Sequence, residues 1–484
     1  MKKIFIKFFA FILAFAVIAA PVQLSFAAAP PEGAQVSDMY SAWAAEDVLI
    51  AQSVYDLGNE GTYSNFRGEL SSQKFSAVFQ DLSAIYQTGY ELVHQDARLT
   101  RGQLITILYG VMFGGEPAEA EAAAFFADNG LINGRKSGDY QLDAVCTVEE
   151  MIALAVRVYD FGVYGEGDFT IGFLWEAEGL SNTVYLLGSI HLADASLYPL
   201  SKGAELAFMR SANLVVEADI LGMDEQDAAY IMSKALLDPS GDETIADFIS
   251  EETYELYVVI SEALGLTQDF YDYIRPWMAY NMLNAMLMTG GDEETVEEYA
   301  AQGIDMYFLM KAVDTGKNIQ QLESVTFQID ILSSASPELQ ELMLYETLLM
   351  AAGLGDGDEP EDGEKQDAGE KPGAGEKPDA GEAADHAGLL AYMTETFKSG
   401  NAEALNELLS GMDEADENPL IAEFKETLIT LRDAAMAEKI AGYLQETEFN
   451  GNYFVVVGAL HLVNDNSVVT QLRDMGYTLE RILK

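Results

Sequence analysis

Two segments that lie far apart in the chain end in the same pattern of residues. Residues 184–192 read VYLLGSIHL and residues 454–462 read FVVVGALHL, so each apolar run leads into Gly-x-x-His. These segments contain His191 and His461, two of only four histidines in the protein. A third apolar run, LVVEAD, leads into Glu217. Two imidazoles and one carboxylate are a common ligand set for a catalytic divalent metal ion, which activates water for attack on a carbonyl group.

The apolar runs indicate buried strands, and strand ends are where an α/β sheet places ligand-binding residues. Gly188 and Gly458 stand at the predicted strand ends, where a residue without Cβ lets the backbone turn closely. The same spacing also has a simpler interpretation. A histidine near a strand end often only contacts the following loop, and Glu217 could be a solvated residue after a buried strand. The spacing alone leaves both interpretations open.

Residues 168–484 have predicted strands at both ends and helices between them. Residues 168–192 read as two strands joined by a turn, residues 213–220 as a third, and a strand, a helix and a strand close the chain. An isolated hairpin is unstable in water, so the terminal strands must share one sheet. We therefore predict an α/β domain whose sheet is built from strands at both ends of the domain and is flanked by helices.

The helical region of this domain is interrupted at about residues 354–386. The interruption contains GEKQDA, GEKPGA and GEKPDA in succession, with high negative charge, Gly and Pro. Such a composition cannot bury enough apolar surface to order itself, so we predict a disordered acidic insertion.

The N-terminal part of the chain reads as three further segments. Residues 1–27 have a basic start, a short apolar core and small residues for cleavage, which predicts a signal peptide and a secreted protein. Residues 28–39 read as a linker, and residues 40–165 as a separate small helical domain in which Thr100 and Thr147 can cap helices. No other apolar stretch reads as a transmembrane segment, so none is expected in the mature chain.

The net charge limits the classes of binding partner, and the cysteine content limits the covalent cross-links. The chain has 26 Lys and Arg against 80 Asp and Glu, a formal net charge of −54. Binding to nucleic acid is therefore not expected, because it needs a basic surface. The single cysteine, Cys146, excludes an intramolecular disulfide bond.

Several motifs of residues 168–484 resemble, in order, those of the TraB/PrgY/GumN family, which includes the Tiki proteins. The segment LWEAEGLSNTVYLLGSIHLADASLYPL leads into the strand LVVEAD, and the later matches are RPWMA, GIDMYFL, GKNIQQLESVTFQ, LRDAAMAEKI and FVVVGALHLV. The resemblance covers this region apart from the acidic insertion. It departs from the family at Met436, where an aromatic residue often occurs, and in the lack of a transmembrane helix.

The resemblance implies a secreted or membrane-associated α/β domain with metal-dependent peptidase activity. It implies that His191 and His461 are metal ligands and that Glu217 is a further ligand or the general base. It also suggests that Arg432 binds a substrate carboxylate or a transition-state oxyanion, and that Asp194 orients the His191 loop. Gly188 and Gly458 have supporting positions. The expected cofactor is a divalent ion (Mn, Co or Zn), and the expected substrate is a peptide or a protein.

Residues 40–165 resemble S-layer homology repeats, in which the second helix of each pair opens at a Thr-Arg-containing motif. Only Thr100-Arg101 keeps that pair, and the second candidate motif at Thr147 lacks the arginine. The resemblance implies binding to cell-wall polysaccharide; the alternative is a plain helical accessory domain.

Three functions are therefore compatible with the sequence. The first is a secreted metal-dependent hydrolase, specifically a peptidase with a site of two histidines and Glu217. The second is a non-catalytic protein that binds a peptide signal such as a pheromone and inhibits it by sequestration. The third is a protein that binds haem or a metal ion through the two histidines. Metal analysis of the purified protein, followed by peptide cleavage with and without a chelator, separates them.

Overall fold

The computed structural model describes residues 40–59, 61–92, 98–115, 117–132, 139–165, 169–290, 293–352, 386–410 and 419–483. The predicted signal peptide, the linker and the acidic insertion up to residue 385 lie outside the described residues, as does His94. The described residues form two compact units, one within Ala28–Phe169 and the other running from Thr170 to Lys484.

The N-terminal unit is helical. Its α-helices are α1 (Ala45–Ser53), α2 (Ser72–Tyr86), α3 (Arg101–Phe113), α4 (Glu119–Asp128) and α5 (Val148–Tyr164). Thr100 and Thr147 both form capping boxes, with Gln103 and Glu150 as the reciprocal partners, which confirms the predicted caps. Arg101 donates to Glu150 at 2.7 Å, so this arginine joins the starts of α3 and α5.

The second unit contains one six-stranded sheet. Its strands are β1 (Leu174–Glu178), β2 (Thr183–Ser189), β3 (Ser211–Val216), β4 (Asn318–Gln321), β5 (Asn452–Gly458) and β6 (Leu479–Ile482). They lie in the order β4-β3-β5-β2-β1-β6. The first four strands in this order run parallel to one another. Strand β1 is antiparallel to both of its neighbours, β2 and β6.

The predicted joining of the two ends of the domain is confirmed. Strands β2 and β5 are neighbours, with Ser189 in register with Gly458, so the two Gly-x-x-His segments leave the sheet side by side. After their first residues both strands are buried throughout, as expected of central parallel strands covered on both faces. The described architecture is a mixed α/β unit with a sheet flanked by helices.

Three details differ from the sequence-based expectation. The strand predicted at 213–220 ends at Val216, so Glu217 is the first residue beyond it. His461 lies in a short helix rather than at the end of a strand. The segment that forms strand β4 was expected to be helical. Its sequence, NIQQ, has neither apolar alternation nor β-branched enrichment. A short polar strand is tolerated here because it lies at the edge of the sheet.

Helices cover the sheet and fill the long connections. They are α6 (Lys202–Arg210), α7 (Glu225–Ala235), α8 (Glu251–Ala263), α9 (Gln268–Tyr271), α10 (Pro276–Thr289), α11 (Glu293–Ala301), α12 (Ile304–Thr315), α13 (Val325–Ser334), α14 (Pro337–Ala351), α15 (His386–Ser399), α16 (Ala402–Ser410), α17 (Pro419–Lys425), α18 (Leu431–Leu444), α19 (Leu460–Val463) and α20 (Val468–Asp474). A π-helical segment, Glu426–Thr430, directly precedes α18. Within the described ranges, no helix is both long and apolar enough to cross a membrane.

Candidate active site

The predicted site residues come together where four parallel strands end. His191 follows β2, Glu217 follows β3, and His461 follows β5 in helix α19. Glu323 follows the edge strand β4, and its backbone N–H donates to the carbonyl of Glu217 at 2.7 Å. Arg432 reaches the same place from the first turn of α18.

Glu217 is the centre of this cluster, and only 3% of its surface is exposed. Its Oε2 accepts hydrogen bonds from Arg432 Nη2 at 2.7 Å and from Gln328 Nε2 at 3.2 Å. Its Oε1 accepts the backbone N–H of Gly458 at 2.5 Å and lies 3.8 Å from His461 Nε2. The Glu217 carboxylate is therefore hydrogen-bonded at both oxygens in the interior of the unit.

These partners keep Glu217 ionised. Burial by itself would raise the pKa of the carboxyl group, but Arg432, His461, His191 and the Gly458 N–H oppose burial. The net effect lowers the pKa of Glu217 from 4.5 to about 2. Nε2 of His461 lies 3.8 Å from Glu217 Oε1, and His191 is near enough to lower the pKa of the same carboxyl group.

Arg432 forms ion pairs with two carboxylates of the protein itself. Its Nε lies 3.0 Å from Glu323 Oε1, and its Nη2 donates to Glu323 Oε2 at 2.8 Å as well as to Glu217. Its Nη1 reaches the carbonyl of Leu428, in the π-helical segment, at 3.4 Å. Burial would lower the pKa of Arg432, but the two carboxylates outweigh that effect and raise it. Arg432 thus joins Glu217 to Glu323, while its expected contact with a substrate carboxylate or a transition-state oxyanion stays a prediction.

His461 is held by an aspartate that the sequence-based analysis left without a role. Its Nδ1 lies 2.5 Å from Oδ1 of Asp433, which is completely buried. The second oxygen of Asp433 accepts Asn464 Nδ2 at 2.7 Å, and the same amide donates to the carbonyl of Leu460 at 2.8 Å. The ring of His461 is therefore fixed with Nε2 on the side of Glu217.

His191 is held in the same way by Asp305, in the first turn of α12. Its Nδ1 lies 2.6 Å from Asp305 Oδ2. Burial lowers the pKa of His191, but the charge and the hydrogen bond of Asp305, aided by Glu217, outweigh burial and raise the pKa. The side chain of His191 is 13% exposed, more than those of Glu217, Arg432 and His461.

The two predicted glycines are needed for different reasons. A Cβ on Gly458 would lie 3.1 Å from Glu217 Oε1 and 3.5 Å from His461 Cδ2, so this glycine lets the carboxylate reach the backbone N–H. A Cβ on Gly188 would lie 3.0 Å from Cα and Cβ of Ala459 and from Cβ of Phe173, so this glycine lets the strand pack closely.

Asp194 lies farther along the loop that carries His191. Its side chain accepts the N–H of Ser196 at 2.8 Å and caps the short 3₁₀ turn Ala195–Leu197. The carboxylate that contacts the His191 ring belongs to Asp305.

The predicted metal ligands meet some of the requirements of a divalent ion. Nδ1 of each histidine is hydrogen-bonded to a carboxylate, which is the usual partner of a metal-ligating imidazole. Nε2 is therefore the atom that would bind the ion. In the part of the chain that the structure describes, however, no group of three or more His, Cys, Asp or Glu side chains is placed to hold a metal ion. Two ligands at about 2.1 Å in tetrahedral geometry are about 3.4 Å apart. The 3.8 Å between His461 Nε2 and Glu217 Oε1 is slightly wider. The residue types are therefore those that bind a divalent ion, but the described residues do not form a complete set of ligands.

Five contributors to the site were not predicted: Asp305, Glu323, Gln328, Asp433 and Asn464. Four of them lie in motifs recognised in the sequence, namely GIDMYFL, GKNIQQLESVTFQ and LRDAAMAEKI, and Asn464 directly follows FVVVGALHLV. Glu323 follows strand β4, whose polar sequence has no apolar pattern, so it could not be found in the way that Glu217 was. The aspartates could be paired with their histidines only in three dimensions, since 114 residues separate Asp305 from His191.

The fold and the site define an α/β unit with two histidines and one ionised glutamate at the carboxyl ends of parallel strands. The model of the TraB/PrgY/gumN family matches residues 173–481, well over half of the chain, and the protein therefore belongs to the TraB/PrgY/gumN family. The resemblance predicted for the C-terminal region is thus confirmed. No curated protein matches the chain, and no solved structure does. The match stops short of residues 40–165, for which the S-layer resemblance stays a prediction.

Proposed function

We propose that the unit formed by residues 170–484 is a metal-dependent hydrolase that cleaves peptides or proteins. One observation carries the proposal. His191 and His461, each with Nδ1 hydrogen-bonded to a buried aspartate, lie next to a single ionised carboxylate, that of Glu217. Histidines that ligate metals in proteins almost always donate their other ring N–H to a carboxylate or a similar acceptor.

In this proposal His191 and His461 would hold a divalent ion (Mn, Co or Zn) through Nε2, with Oε1 of Glu217 on a third side. Such an ion, when bound, supplies a Lewis acid for the carbonyl group and lowers the pKa of a bound water. The residues of the chain determine where those events occur, because Asp305 and Asp433 fix the directions of the two imidazoles.

The hydrogen bonds to both oxygens of Glu217, and the low pKa that accompanies them, favour one of its two expected roles. A general base is most effective when its pKa lies near the working pH. The pKa of Glu217 is about 2, so its carboxylate stays ionised in the neutral range and takes up a proton poorly. We therefore assign Glu217 to the ion and not to proton transfer.

Arg432 has a supporting role in the proposal. Glu217 and Glu323 are both buried, and without a cation between them their charges would repel each other. Arg432 compensates both charges and holds Glu217 in place. Substrate approaches from the side of His191, whose side chain is more exposed than those of Glu217, Arg432 and His461.

Cleavage of an internally quenched peptide library by the purified full chain tests the proposal. We expect cleavage that stops with a chelator and returns on addition of Mn²⁺, Co²⁺ or Zn²⁺, and that is lost in His191→Ala. A matched control is His94→Ala, which changes a histidine outside the 170–484 unit and should leave the rate unchanged. Cleavage that persists in chelator would contradict the metal dependence. Stoichiometric retention of peptides without cleavage would favour the peptide-binding alternative.

Secretion and attachment to the cell wall are separate proposals. The N-terminal signal and the Thr100-Arg101 pair support them only as sequence patterns. Recovery of the protein, cleaved after residue 27, from the culture medium or from the cell-wall fraction tests the first, and its absence from both would contradict secretion. Sedimentation of the full chain with purified cell wall, compared with Arg101→Ala, tests the second, and absence from the pellet would contradict attachment.

A further inference from the structure

Two aspartates are placed alike against the two site histidines. Asp305 is in the first turn of α12, and Asp433 is in the first turn of α18. One carboxylate oxygen of each lies 2.6 Å and 2.5 Å, respectively, from Nδ1 of its histidine, and each aspartate is buried, with 6% and 0% of its surface exposed. The two pairs are built from unrelated parts of the chain, so the shared geometry is not a consequence of one local motif.

The backbone holds Asp305 and His191 together. The N–H of Ile304, which begins α12, donates to the carbonyl of Ile190 at 3.0 Å. The N–H of Ala193 donates to the carbonyl of Tyr299 at 3.1 Å. Gly303 lies so close that a Cβ there would be 2.3 Å from the carbonyl oxygen of His191. The His191 loop is therefore attached to the start of the helix that presents Asp305.

Asp433 is held by side chains instead. Asn464 donates to Asp433 Oδ2 at 2.7 Å and to the carbonyl of Leu460 at 2.8 Å with the same amide group. Asn464 and His461 belong to one segment after β5, so that segment contacts both oxygens of Asp433. Rotation of Asp433 away from the histidine would break both contacts.

An ionised carboxylate can only accept hydrogen bonds, so the histidine nitrogen that faces it must carry the proton. In a neutral imidazole the lone pair is then on the other nitrogen, which here is Nε2. We infer that Asp305 and Asp433 are positioning residues that fix the Nδ1–H tautomer and the ring orientation of His191 and His461, and that Asn464 holds Asp433 for this task. The effect on turnover rests on the proposed function; the tautomer itself does not.

Nitrogen-15 NMR of the full chain labelled at histidine measures the tautomer directly. The protein has four histidines, so the ring signals can be assigned with His191→Ala and His461→Ala. In metal-free protein with neutral imidazoles, we expect two rings with protonated Nδ1. Asp305→Asn should change the signals of His191 alone, and Asp433→Asn those of His461 alone, because an asparagine amide can instead donate to Nδ1 and favour the other tautomer.

Asp272→Asn is the matched control. Asp272 lies in the same unit and accepts hydrogen bonds from Tyr254 at 2.9 Å and Gln268 at 3.0 Å, so its replacement should leave all histidine signals unchanged. If Asp433→Asn does not fold, Asn464→Ala tests the same contact less severely and should broaden or shift the His461 signals. Unchanged His191 and His461 signals in the respective folded variants would overturn the inference.

Peptide cleavage gives the second readout. Loss of a residue that orients a metal ligand typically lowers activity about 10–100-fold. We expect a loss of that size in kcat for Asp305→Asn and Asp433→Asn, with little change in KM, and none for Asp272→Asn. If the wild-type chain cleaves no peptide, the proposed function is wrong, and the NMR measurement alone decides the inference.

Discussion

Arg432 donates a hydrogen bond of 2.7 Å to Glu217, and the same nitrogen contacts Glu323 at 2.8 Å. All three side chains are almost completely buried. One guanidinium group therefore compensates two carboxylates that belong to neighbouring strand ends. Buried charges are tolerated only when they are paired and hydrogen-bonded, so the position of Glu217 depends on Arg432.

Arg432→Met should destabilise the 170–484 unit by about 3–5 kcal/mol, because it leaves two buried carboxylates without a cation. Urea denaturation followed by tryptophan fluorescence measures the effect. Trp175 and Trp277 are buried in this unit and should dominate the signal, whereas Trp43 is exposed. Lys234→Gln, which breaks the more exposed ion pair with Asp330, should shift the midpoint little. Equal shifts in the two variants would contradict this account.

Acid should weaken the fold through Glu217. The pKa of this carboxyl group is about 2 in the folded state, against 4.5 as the reference value. A group with a depressed pKa stabilises the fold at pH values above 4.5, and that contribution is lost as the pH falls towards 2. The difference corresponds to about 3 kcal/mol.

The pH effect is measured as the free energy of unfolding of wild type minus that of Glu217→Gln, from pH 6 to pH 2. Glutamine cannot titrate, so the difference isolates Glu217 from the many other acidic groups. We expect the wild-type advantage to disappear between pH 4.5 and pH 2. A difference that stays constant over this range would show that Glu217 is not ionised by its surroundings as described.

Three glycine-to-alanine substitutions should have three different outcomes. Gly458→Ala places a Cβ against the Glu217 carboxylate and should lower peptide cleavage at least about 10-fold, with a smaller effect on stability. Gly188→Ala presses on the backbone at Ala459 and should cost about 1–3 kcal/mol in stability. Gly442→Ala, in helix α18 where the new methyl group meets no atom within 4 Å apart from its chain neighbours and the nearby backbone of its own helix, should stabilise by up to about 1 kcal/mol.

Thermal unfolding and peptide cleavage of the three variants provide the test. The prediction concerns the order of the effects, so the variants serve as controls for one another. Wild-type activity in Gly458→Ala would mean that close contact between this backbone and Glu217 is not required.

The sequence alone was sufficient for the relation between β2 and β5. Both strands have long apolar runs, and a domain with strands at its two ends needs one common sheet, which predicts that His191 and His461 approach each other. The same reasoning could not find β4, because a polar edge strand of four residues has no apolar pattern. It also could not pair Asp305 with His191 or Asp433 with His461, since those contacts depend on where helix starts pack against the sheet.

The central claim is that His191 and His461 are two parts of one site. Rates of peptide cleavage by wild type, His191→Ala, His461→Ala and the double variant test it most directly, with His94→Ala as the control. Residues that act as a unit are strongly non-additive, so each single variant should lose at least about 100-fold, and the double variant should be no slower than the slower single variant. A double variant whose loss equals the product of the two single losses, or a single variant with wild-type activity, would contradict the claim.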